Sequence, residues 1–371
     1  MPNYKVGESK RLFVVDALSI RYGGGLVLLK NLLASFIENS VNVVILVNSQ
    51  DELEDKLPVG ANISIKVIEN SGTALAAFSF RRFSLRRFLS KLRRPLVLIS
   101  FNSFSSVGQK QVTLHINTVP FLPFTRRLSI VGVVRAVFSG RASRRALTAS
   151  DLNIFESDYL FQLAESVSEN KIRNGVVRYF GTDLIPKSYQ NLRRYKSRAN
   201  NLITITSGAP HKQNEKTIRA FQTLKKHYPD IELIIVGNEE NIKNQIFKSG
   251  LNPSDLNGVS FTGYLSREAL SSLIESCRAL ISMSSTESFY LVAVEAMLCG
   301  TPVIANRIPA AIECCGGHSF LVDDVDDVFD QFQKLQDEEI WRVTSRDGYD
   351  HSIQYLSKDC MGKIVRDIIY V

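Results

Sequence analysis

The sequence predicts an α/β protein with two domains, each built around a parallel β-sheet that is covered by helices on both faces. Three observations support this prediction. Short apolar, β-branched runs alternate with longer stretches of helical periodicity. The alternation occurs in two series, and a polar stretch without strong periodicity separates them. The length of 371 residues also favours two cores of ordinary size over one.

The first series contains six strand candidates. RLFVVDA comes first, and a turn formed by Gly23, Gly24 and Gly25 leads into the helical stretch GLVLLKNLLASFIENS. The later candidates are VNVVILVN, ISIKVIE, PLVLISF, VTLHIN and DLNIFES. The three glycines do not fit G-x-G-x-x-G, the pattern of dinucleotide-binding turns, so a dinucleotide cofactor is not expected.

The second series begins after a polar segment that carries Pro186. We predict a first domain at 1–185, a linker at 186–201, a second domain at 202–350 and a C-terminal helix at 351–371, with the first domain as its expected packing partner. The strand candidates of the second domain are NLITIT, IELIIVG, VSFTG, ALISM and TPVIA, and helical stretches such as NEKTIRAFQTLKKHY and REALSSLIESC lie between them.

The basic residues are concentrated in the first half. The chain has a net charge of +8, and residues 1–170 hold 21 Lys and Arg against 13 Asp and Glu. Seven cations lie in RRFSLRRFLSKLRR: Arg81, Arg82, Arg86, Arg87, Lys91, Arg93 and Arg94. The pattern predicts a basic amphipathic helix for an anionic membrane surface or acceptor. The alternative is a helix packed on the first domain with a solvated basic face. Nucleic acid is disfavoured because no recognition motif accompanies the charge.

The cysteines and histidines do not indicate a disulfide framework or a metal site. There are five of each, the cysteines lack C-x-x-C spacing, and the histidines are scattered. No run of 18 apolar residues and no secretory leader stands out. We therefore expect a cytoplasmic protein, peripheral at the inner face of the cytoplasmic membrane.

The stretch STESFYLVAVEAMLCGTPVIA carries two carboxylates in an apolar setting. A helix is predicted from about Phe289 to Leu298, and it is apolar on every face except at Glu295. A buried carboxylate needs partners, so Glu295 is expected in an ion pair or at a ligand. Glu287 lies before the helix, at the carboxyl end of a strand, where open α/β sheets bind ligands. The alternative is a structural ion pair at Glu295 and a solvated Glu287.

This stretch resembles the signature of the retaining GT-B glycosyltransferases, in particular glycosyltransferase family 4, also called glycosyl transferases group 1. The family pattern is E-x-F-G-L-x-x-x-E-A-M-A-x-G-x-P-V-I-A. The matching residues here are Glu287, Phe289, Leu291, Glu295, Ala296, Met297, Gly300, Pro302, Val303, Ile304 and Ala305. SGAPHKQNEKTIRAF resembles the family's phosphate-contacting segment, and YGGG and LHINTVPFLP are weaker likenesses in the first half. The resemblance implies the GT-B fold, two Rossmann-like doubly wound domains facing across a cleft.

The resemblance also implies roles for residues of the second domain. Glu295 would hydrogen-bond the nucleotide ribose, and Glu287 would contact hydroxyls of the donor sugar. The backbone amides of Phe289, Tyr290 and Leu291 would approach the diphosphate.

The remaining implied contacts involve both domains. Lys212 would neutralise the diphosphate as it leaves. His115 would face the transferred sugar, although a strand-end histidine is also common in cores. The Gly23, Gly24 and Gly25 turn would let the backbone approach donor phosphate and acceptor.

The resemblance implies a retaining enzyme that moves a hexose-type sugar from a nucleotide-diphosphate sugar to a lipid-linked or lipopolysaccharide (O-antigen) glycan. The donor is a substrate, and neither a cofactor nor a metal is expected. Two departures are Thr206, where many members have an arginine, and Tyr290, where they have a glycine. The alternatives are a GT-B sugar-nucleotide epimerase and a non-catalytic, membrane-associated partner in glycan assembly.

Overall fold

The structure is a computed structural model that describes residues 11–20, 23–49, 53–69, 71, 73–92, 95–105, 107, 109–122, 130–169 and 171–371. The chain divides into two compact units. The first comprises Met1–Asp183 and Ser357–Val371, and the second comprises Leu184–Leu356.

The first unit contains a seven-stranded parallel sheet in the order β3-β2-β1-β4-β5-β6-β7. Its strands are β1 (Leu12–Asp16), β2 (Val43–Asn48), β3 (Ile63–Ile68), β4 (Leu96–Phe101), β5 (Lys110–His115), β6 (Leu152–Phe155) and β7 (Gly175–Val177). The order 3-2-1-4-5-6 is that of a Rossmann-type sheet, in which ligands bind near the point where the order reverses, here between β1 and β4.

Six α-helices of the described chain cover this sheet: α1 (Gly24–Glu38), α2 (Ala74–Ser79), α3 (Leu85–Ser90), α4 (Ile130–Ala149), α5 (Asp158–Ser168) and the last helix of the chain (Ser357–Ile369). A π-helical turn, Phe80–Ser84, joins α2 to α3. The last helix buries Met361, Ile364, Val365 and Ile368, a 3.6-residue spacing, in the core that also contains α1.

The second unit contains a six-stranded parallel sheet in the order β10-β9-β8-β11-β12-β13. Its strands are β8 (Leu202–Ile205), β9 (Leu233–Val236), β10 (Val259–Gly263), β11 (Ala279–Ser282), β12 (Val303–Asn306) and β13 (Phe320–Val322). This is again the 3-2-1-4-5-6 order, and the reversal lies between β8 and β11.

The helices of the second unit are α6 (Asn214–His227), α7 (Glu239–Lys248), α8 (Arg267–Ser276), α9 (Leu291–Leu298), α10 (Pro309–Cys315), α11 (Asp327–Lys334) and α12 (Glu338–Ser352). The last helix of the first unit is α13. Helix α9 has no exposed position, and its residues from Ala293 to Leu298 are all buried. The sequence predicts this because the helix is apolar all round apart from Glu295.

The segment 186–201, predicted as a linker, is packed into the second unit. Arg198 is 4% exposed, and its guanidinium donates hydrogen bonds to the Thr301 hydroxyl at 2.6 Å and to the Cys299 carbonyl at 2.9 Å. The Glu275 carboxylate accepts from Lys187 Nζ at 2.7 Å and from the Arg193 amide at 2.8 Å. The sequence does not predict these contacts, because the segment is polar and without periodicity and its partners are distant in sequence.

The predicted class, two α/β domains with parallel sheets, is confirmed. All eleven strand candidates overlap an observed strand, whereas β7 and β13 were not predicted. Each of these two strands has only three residues and lies at the edge of its sheet, so neither forms a long apolar run. Within the described residues, no helix is both long and apolar enough to cross a membrane.

Candidate functional site

Lys212 and Glu287 meet at the point where the strand order of the second sheet reverses. Lys212 ends the 3₁₀ turn Pro210–Lys212 after β8, and Glu287 lies in the loop after β11, the neighbouring strand. Lys212 Nζ lies 2.7 Å from Glu287 Oε1, and the two side chains are 18% and 12% exposed. The Ser285 amide donates to the His211 carbonyl at 2.8 Å, which joins the two loops directly. A cation and a carboxylate therefore lie together, partly shielded from water, where doubly wound sheets bind ligands.

Local contacts fix the loop that presents Lys212. The Thr206 hydroxyl donates to Asn214 Oδ1 at 2.6 Å, and Asn214 Nδ2 donates to the Ser207 carbonyl at 2.8 Å. Gln213, next to Lys212, has φ 45° and ψ 49°, a left-handed conformation that costs a residue with a Cβ roughly 1 kcal/mol or more. Thr206, which departs from the family's arginine, thus helps to hold this loop.

His211 lies beside the ion pair and is half-buried. Burial lowers the pKa of His211, Glu287 opposes this effect, and Lys212 adds to it. The ring is therefore predominantly neutral near pH 7, so Lys212 supplies the positive charge in this pair of loops.

Glu295 forms an ion pair with a partner that the sequence does not identify. It lies in the second turn of α9, its side chain is 4% exposed, and Oε1 lies 2.6 Å from Nη2 of Arg267. Arg267 begins α8, the helix after β10, and is 29% exposed. An ionised carboxylate at this depth would cost several kcal/mol without such a partner. The expectation of a partner for Glu295 is therefore met by an arginine, and its contact with a ribose stays a prediction.

Tyr290 points into the core of the second unit. Its side chain is completely buried, and its hydroxyl donates to the Ser282 carbonyl at the end of β11 at 3.1 Å. Burial, the largest cause, raises the pKa of Tyr290, so the phenol stays protonated and remains a donor. The ring that replaces the family's glycine is thus accommodated beneath the loop.

The backbone amides at the start of α9 have partners within the chain. The Tyr290 amide donates to Cys314 Sγ at 3.4 Å, and the Leu291 amide donates to the Phe289 carbonyl at 2.9 Å. Phe289 itself is 7% exposed and packs edge-on against Tyr355, with the ring centroids 5.4 Å apart. The predicted approach of these amides to a diphosphate stays a prediction, and it requires the Tyr290 and Leu291 amides to exchange these contacts.

The glycine turn of the first unit follows β1, on one side of the reversal between β1 and β4. Gly23 precedes α1 with φ 67°, where a side chain would be strained, and Gly24 begins the helix. A Cβ on Gly25 would lie 3.3 Å from Ile20 Cδ1, which is tight but adjustable. Backbone geometry at Gly23 and packing at Gly25 therefore account for two of the glycines, and their contact with a ligand stays a prediction.

His115, at the end of β5, is a core residue of the first unit. It is 0% exposed and stacks on Phe155 with the ring centroids 4.4 Å apart. Its Nε2 lies 2.9 Å from Asn153 Oδ1, while Asn153 Nδ2 donates to the Leu147 and Arg173 carbonyls. Asn153 therefore accepts from His115, and Nε2 carries the proton. Nδ1 has no hydrogen-bond partner among the described residues, and burial lowers the pKa of the imidazole to about 4.

This position of His115 fits the alternative of a core histidine, because a sugar cannot reach a fully buried ring without displacing its neighbours. Its proposed contact with the transferred sugar has no support in the geometry.

Arg81 differs from the predicted surface role. Its guanidinium binds Asp16 at two points, Nε to Oδ2 at 2.6 Å and Nη2 to Oδ1 at 2.9 Å, and also donates to the Ser19 hydroxyl. Arg81 is 16% exposed and Asp16 is 1% exposed. Although burial alone would lower it, the pKa of Arg81 is raised because Asp16 is adjacent. The side chain therefore neutralises a buried carboxylate at the end of β1.

The other described cations of this segment, Arg82, Arg86, Arg87 and Lys91, are exposed. Most of the apolar stripe packs against the first unit. Leu85 and Leu89 are buried there, and Phe88 and Leu92 pack against the same hydrophobic cluster. Phe83, which the amphipathic pattern places on the apolar side, is instead 74% exposed and lies beside Arg82. Arg93 and Arg94 lie outside the described residues.

Within the described part of the chain, no three His, Cys, Asp or Glu residues are arranged to hold a metal ion. The sequence does not identify two of the residues that form these ion pairs. Arg267 sits in a polar segment, and no spacing connects it to Glu295. The position of Asp16 could have predicted its ion pair, because an acidic residue at the end of a buried strand requires a partner.

The second unit contains the part of the chain that matches a known family model. Residues 192–339 match the family model of glycosyl transferases group 1. This segment is similar to a glycosyltransferase domain, and it contains Lys212, Arg267, Glu287 and Glu295. This chain is also 26% identical, over 165 residues, to O-antigen chain mannosyltransferase B of Escherichia coli. That match spans 43% of this chain and 42% of the relative.

The likeness to solved structures extends over both units. HepE from Anabaena, solved with UDP and glucose, has a TM-score of 0.70 at 17% identity over 97% of this chain and all of its own. Sucrose-phosphate synthase from Thermosynechococcus elongatus has a TM-score of 0.74 at 15% identity over 97% of this chain and 99% of its own. At these identities the likeness shows the fold, and it confirms the predicted GT-B class of two Rossmann-like domains.

Proposed function

We propose that the protein is a retaining glycosyltransferase of family 4 that takes a hexose-type sugar from a nucleotide-diphosphate sugar. The observation that carries the proposal is the Lys212–Glu287 ion pair, at the reversal point of the sheet in the glycosyl transferases group 1 domain. The complex of HepE with UDP and glucose supports the choice of donor class.

In this proposal Lys212 has the main electrostatic role. As the bond between sugar and diphosphate breaks, negative charge grows on the departing phosphate, and an ammonium already positioned there stabilises it. The contact with Glu287 holds the Lys212 side chain in one place, so little reorganisation is needed. Diphosphate binding then gives Lys212 a second anionic partner, and Glu287 orients hydroxyls of the sugar.

Glu295 has the second role. Its carboxylate, held in a buried helix, accepts hydrogen bonds from the ribose hydroxyls of the nucleotide. A buried acceptor of this kind discriminates strongly, because a ligand without the matching hydroxyl leaves it poorly compensated.

The acceptor is proposed to be a lipid-linked or O-antigen type glycan at an anionic membrane surface. The relative named O-antigen chain mannosyltransferase B supports this class of acceptor. Exposed Arg82, Arg86, Arg87 and Lys91 provide attraction to anionic lipid, and exposed Phe83 provides an apolar side chain for the interface.

A thermal-shift panel of UDP, GDP, dTDP and CMP tests the donor proposal. A nucleotide at about 100 times its dissociation constant stabilises the fold by roughly 2.7 kcal/mol, so one nucleotide should raise the melting temperature clearly. The absence of a shift with all four would contradict the proposal and favour a non-catalytic partner. Conversion of a nucleotide sugar without any acceptor would instead indicate an epimerase.

A further inference from the structure

We infer that Arg267 is a positioning residue that makes the glycosyltransferase domain selective for nucleotides with free 2′ and 3′ ribose hydroxyls, through its ion pair with Glu295. The inference rests on the proposed function, because Glu295 is taken as the ribose contact. It adds a residue to which neither the family signature nor the periodicity of the sequence assigns a role.

The first observation is the geometry of the pair. Nη2 of Arg267 lies 2.6 Å from Oε1 of Glu295, a short, charge-assisted contact. Glu295 is held by a buried helix, and its side chain is 4% exposed, whereas Arg267 is 29% exposed. Arg267 is therefore the partner that solvent reaches, while Glu295 is almost completely enclosed.

The second observation is the position of Arg267 on its helix. It is the first residue of α8, directly after the N-cap Ser266. A cation at a helix N-terminus is disfavoured by the helix dipole, and α8 follows Arg267 with Glu268, the charge that suits this end. The helix itself thus gives no reason for an arginine here, whereas Glu295 does.

The chemical consequence concerns the charge and the orientation of Glu295. A carboxylate that is paired with a guanidinium offers its oxygen atoms as hydrogen-bond acceptors. The contact through Nη2 also restrains Oε1 of the carboxylate, and the guanidinium is more rigid than a flexible ammonium would be. A carboxylate held in one orientation can accept hydrogen bonds from the two adjacent hydroxyls of a ribose. Arg267 therefore influences ribose binding indirectly, through the position of Glu295.

The experiment is a calorimetric titration of the full chain with UDP, GDP and CMP, each beside its 2′,3′-dideoxy analogue. The wild type should prefer one ribonucleotide over its analogue by about tenfold to a hundredfold, as expected for hydrogen bonds to a charged group. Arg267→Gln should reduce this preference to less than about threefold, and it should change the affinity for the dideoxy analogue little. Arg342→Gln, which breaks the exposed pair with Glu339, is the matched control and should keep the preference.

Two further variants keep the inference falsifiable if Arg267→Gln does not fold. Arg267→Lys retains the charge and should show an intermediate preference. The double variant Arg267→Gln, Glu295→Gln leaves no buried charge, and it should bind with the same preference as Glu295→Gln alone.

The outcomes separate the two proposals. If the wild type prefers the ribonucleotide and Arg267→Gln keeps that preference, the inference is overturned and the proposed function stands. The inference is also overturned if Arg267→Gln weakens both ligands equally, because the arginine then contacts another part of the nucleotide. If the wild type binds only dTDP, which lacks the 2′ hydroxyl, the inference is overturned and the proposed function stands. If it binds none of UDP, GDP, CMP and dTDP, the proposed function fails and the inference fails with it.

Discussion

The ammonium of Lys212 lies 2.7 Å from Oε1 of Glu287, although 75 residues separate them in sequence. The contact joins the loops that follow β8 and β11, the two strands between which the order of the second sheet reverses. The fold alone explains why the two loops meet, since the carboxyl ends of adjacent parallel strands share one edge. The identity of the two side chains gives that edge its chemistry.

Replacement of Lys212 by Met should weaken the binding of a nucleoside diphosphate by about tenfold to a hundredfold, because a charged hydrogen bond to phosphate is lost. Binding of the corresponding nucleoside should change little. Calorimetric titration of both ligands measures the difference, and Lys248→Met, at an exposed position of α7, is the matched control. An equal loss for nucleoside and diphosphate would contradict the phosphate role.

Replacement of Arg81 by Met should lower the free energy of unfolding by about 3–5 kcal/mol, because Asp16 would remain buried without its cation. Arg82→Met, next to it but exposed, should change the free energy by less than about 0.5 kcal/mol. Urea denaturation of the two variants measures both values. If both variants lower the free energy of unfolding by similarly small amounts, the ion pair between Arg81 and Asp16 does not stabilise the fold.

The stability of the protein should fall as the pH is lowered from about 6.5 towards 4, in part because of His115. Its folded pKa, about 4, lies below the ordinary 6.5, so the unfolded chain binds the extra proton in this range. Stability from this group is therefore complete above pH 6.5, and up to about 3 kcal/mol is lost on acidification. His115→Gln should flatten this part of the pH profile of unfolding, whereas exposed His227→Gln should not. An unchanged profile in His115→Gln would contradict the buried, neutral state.

Most of the fold follows from local sequence. The strands of both sheets are short apolar runs, and helices such as α6 show their buried face through 3.6-residue spacing. The short edge strands β7 and β13 lack that signal. The anchoring of 186–201 through Arg198 and Glu275 has no local signal either, because it depends on contacts up to 103 residues apart.

The candidate site was predicted in part. The sequence indicates that Glu295 needs a partner and that Glu287 lies at a strand end, and a family resemblance adds Lys212. Neither periodicity nor spacing identifies Arg267 as the partner of Glu295, because only the folded chain brings α8 and α9 together. The buried position of the Tyr290 ring also depends on tertiary packing, so the sequence does not predict it. The hydrogen bond from Tyr290 to the Ser282 carbonyl is seen only in the structure.

Replacement of Arg82, Arg86 and Arg87 by Gln should reduce binding to vesicles that contain anionic lipid, and added salt should diminish the difference from the wild type. Phe83→Ala should lower the binding that remains at high salt, because that part depends on apolar contact. Vesicle co-sedimentation measures both effects.

The matched control for the arginine variant carries Gln at Arg219, Lys226 and Lys248, three exposed cations of the second unit. If the control variant loses as much vesicle binding as the arginine variant, the attraction belongs to net charge and the proposed surface is wrong.

Two buried glutamates of the second unit give the most direct test of the proposed nucleotide site. Glu275 and Glu295 are each 3% exposed and each paired with a basic side chain, but only Glu295 is assigned to the nucleotide. Calorimetric titration with the nucleotide that stabilises the wild type should show at least about a tenfold loss of affinity in Glu295→Gln. Glu275→Gln should melt at a lower temperature and bind the nucleotide as the wild type does. Unchanged binding by a folded Glu295→Gln variant would contradict the proposed site.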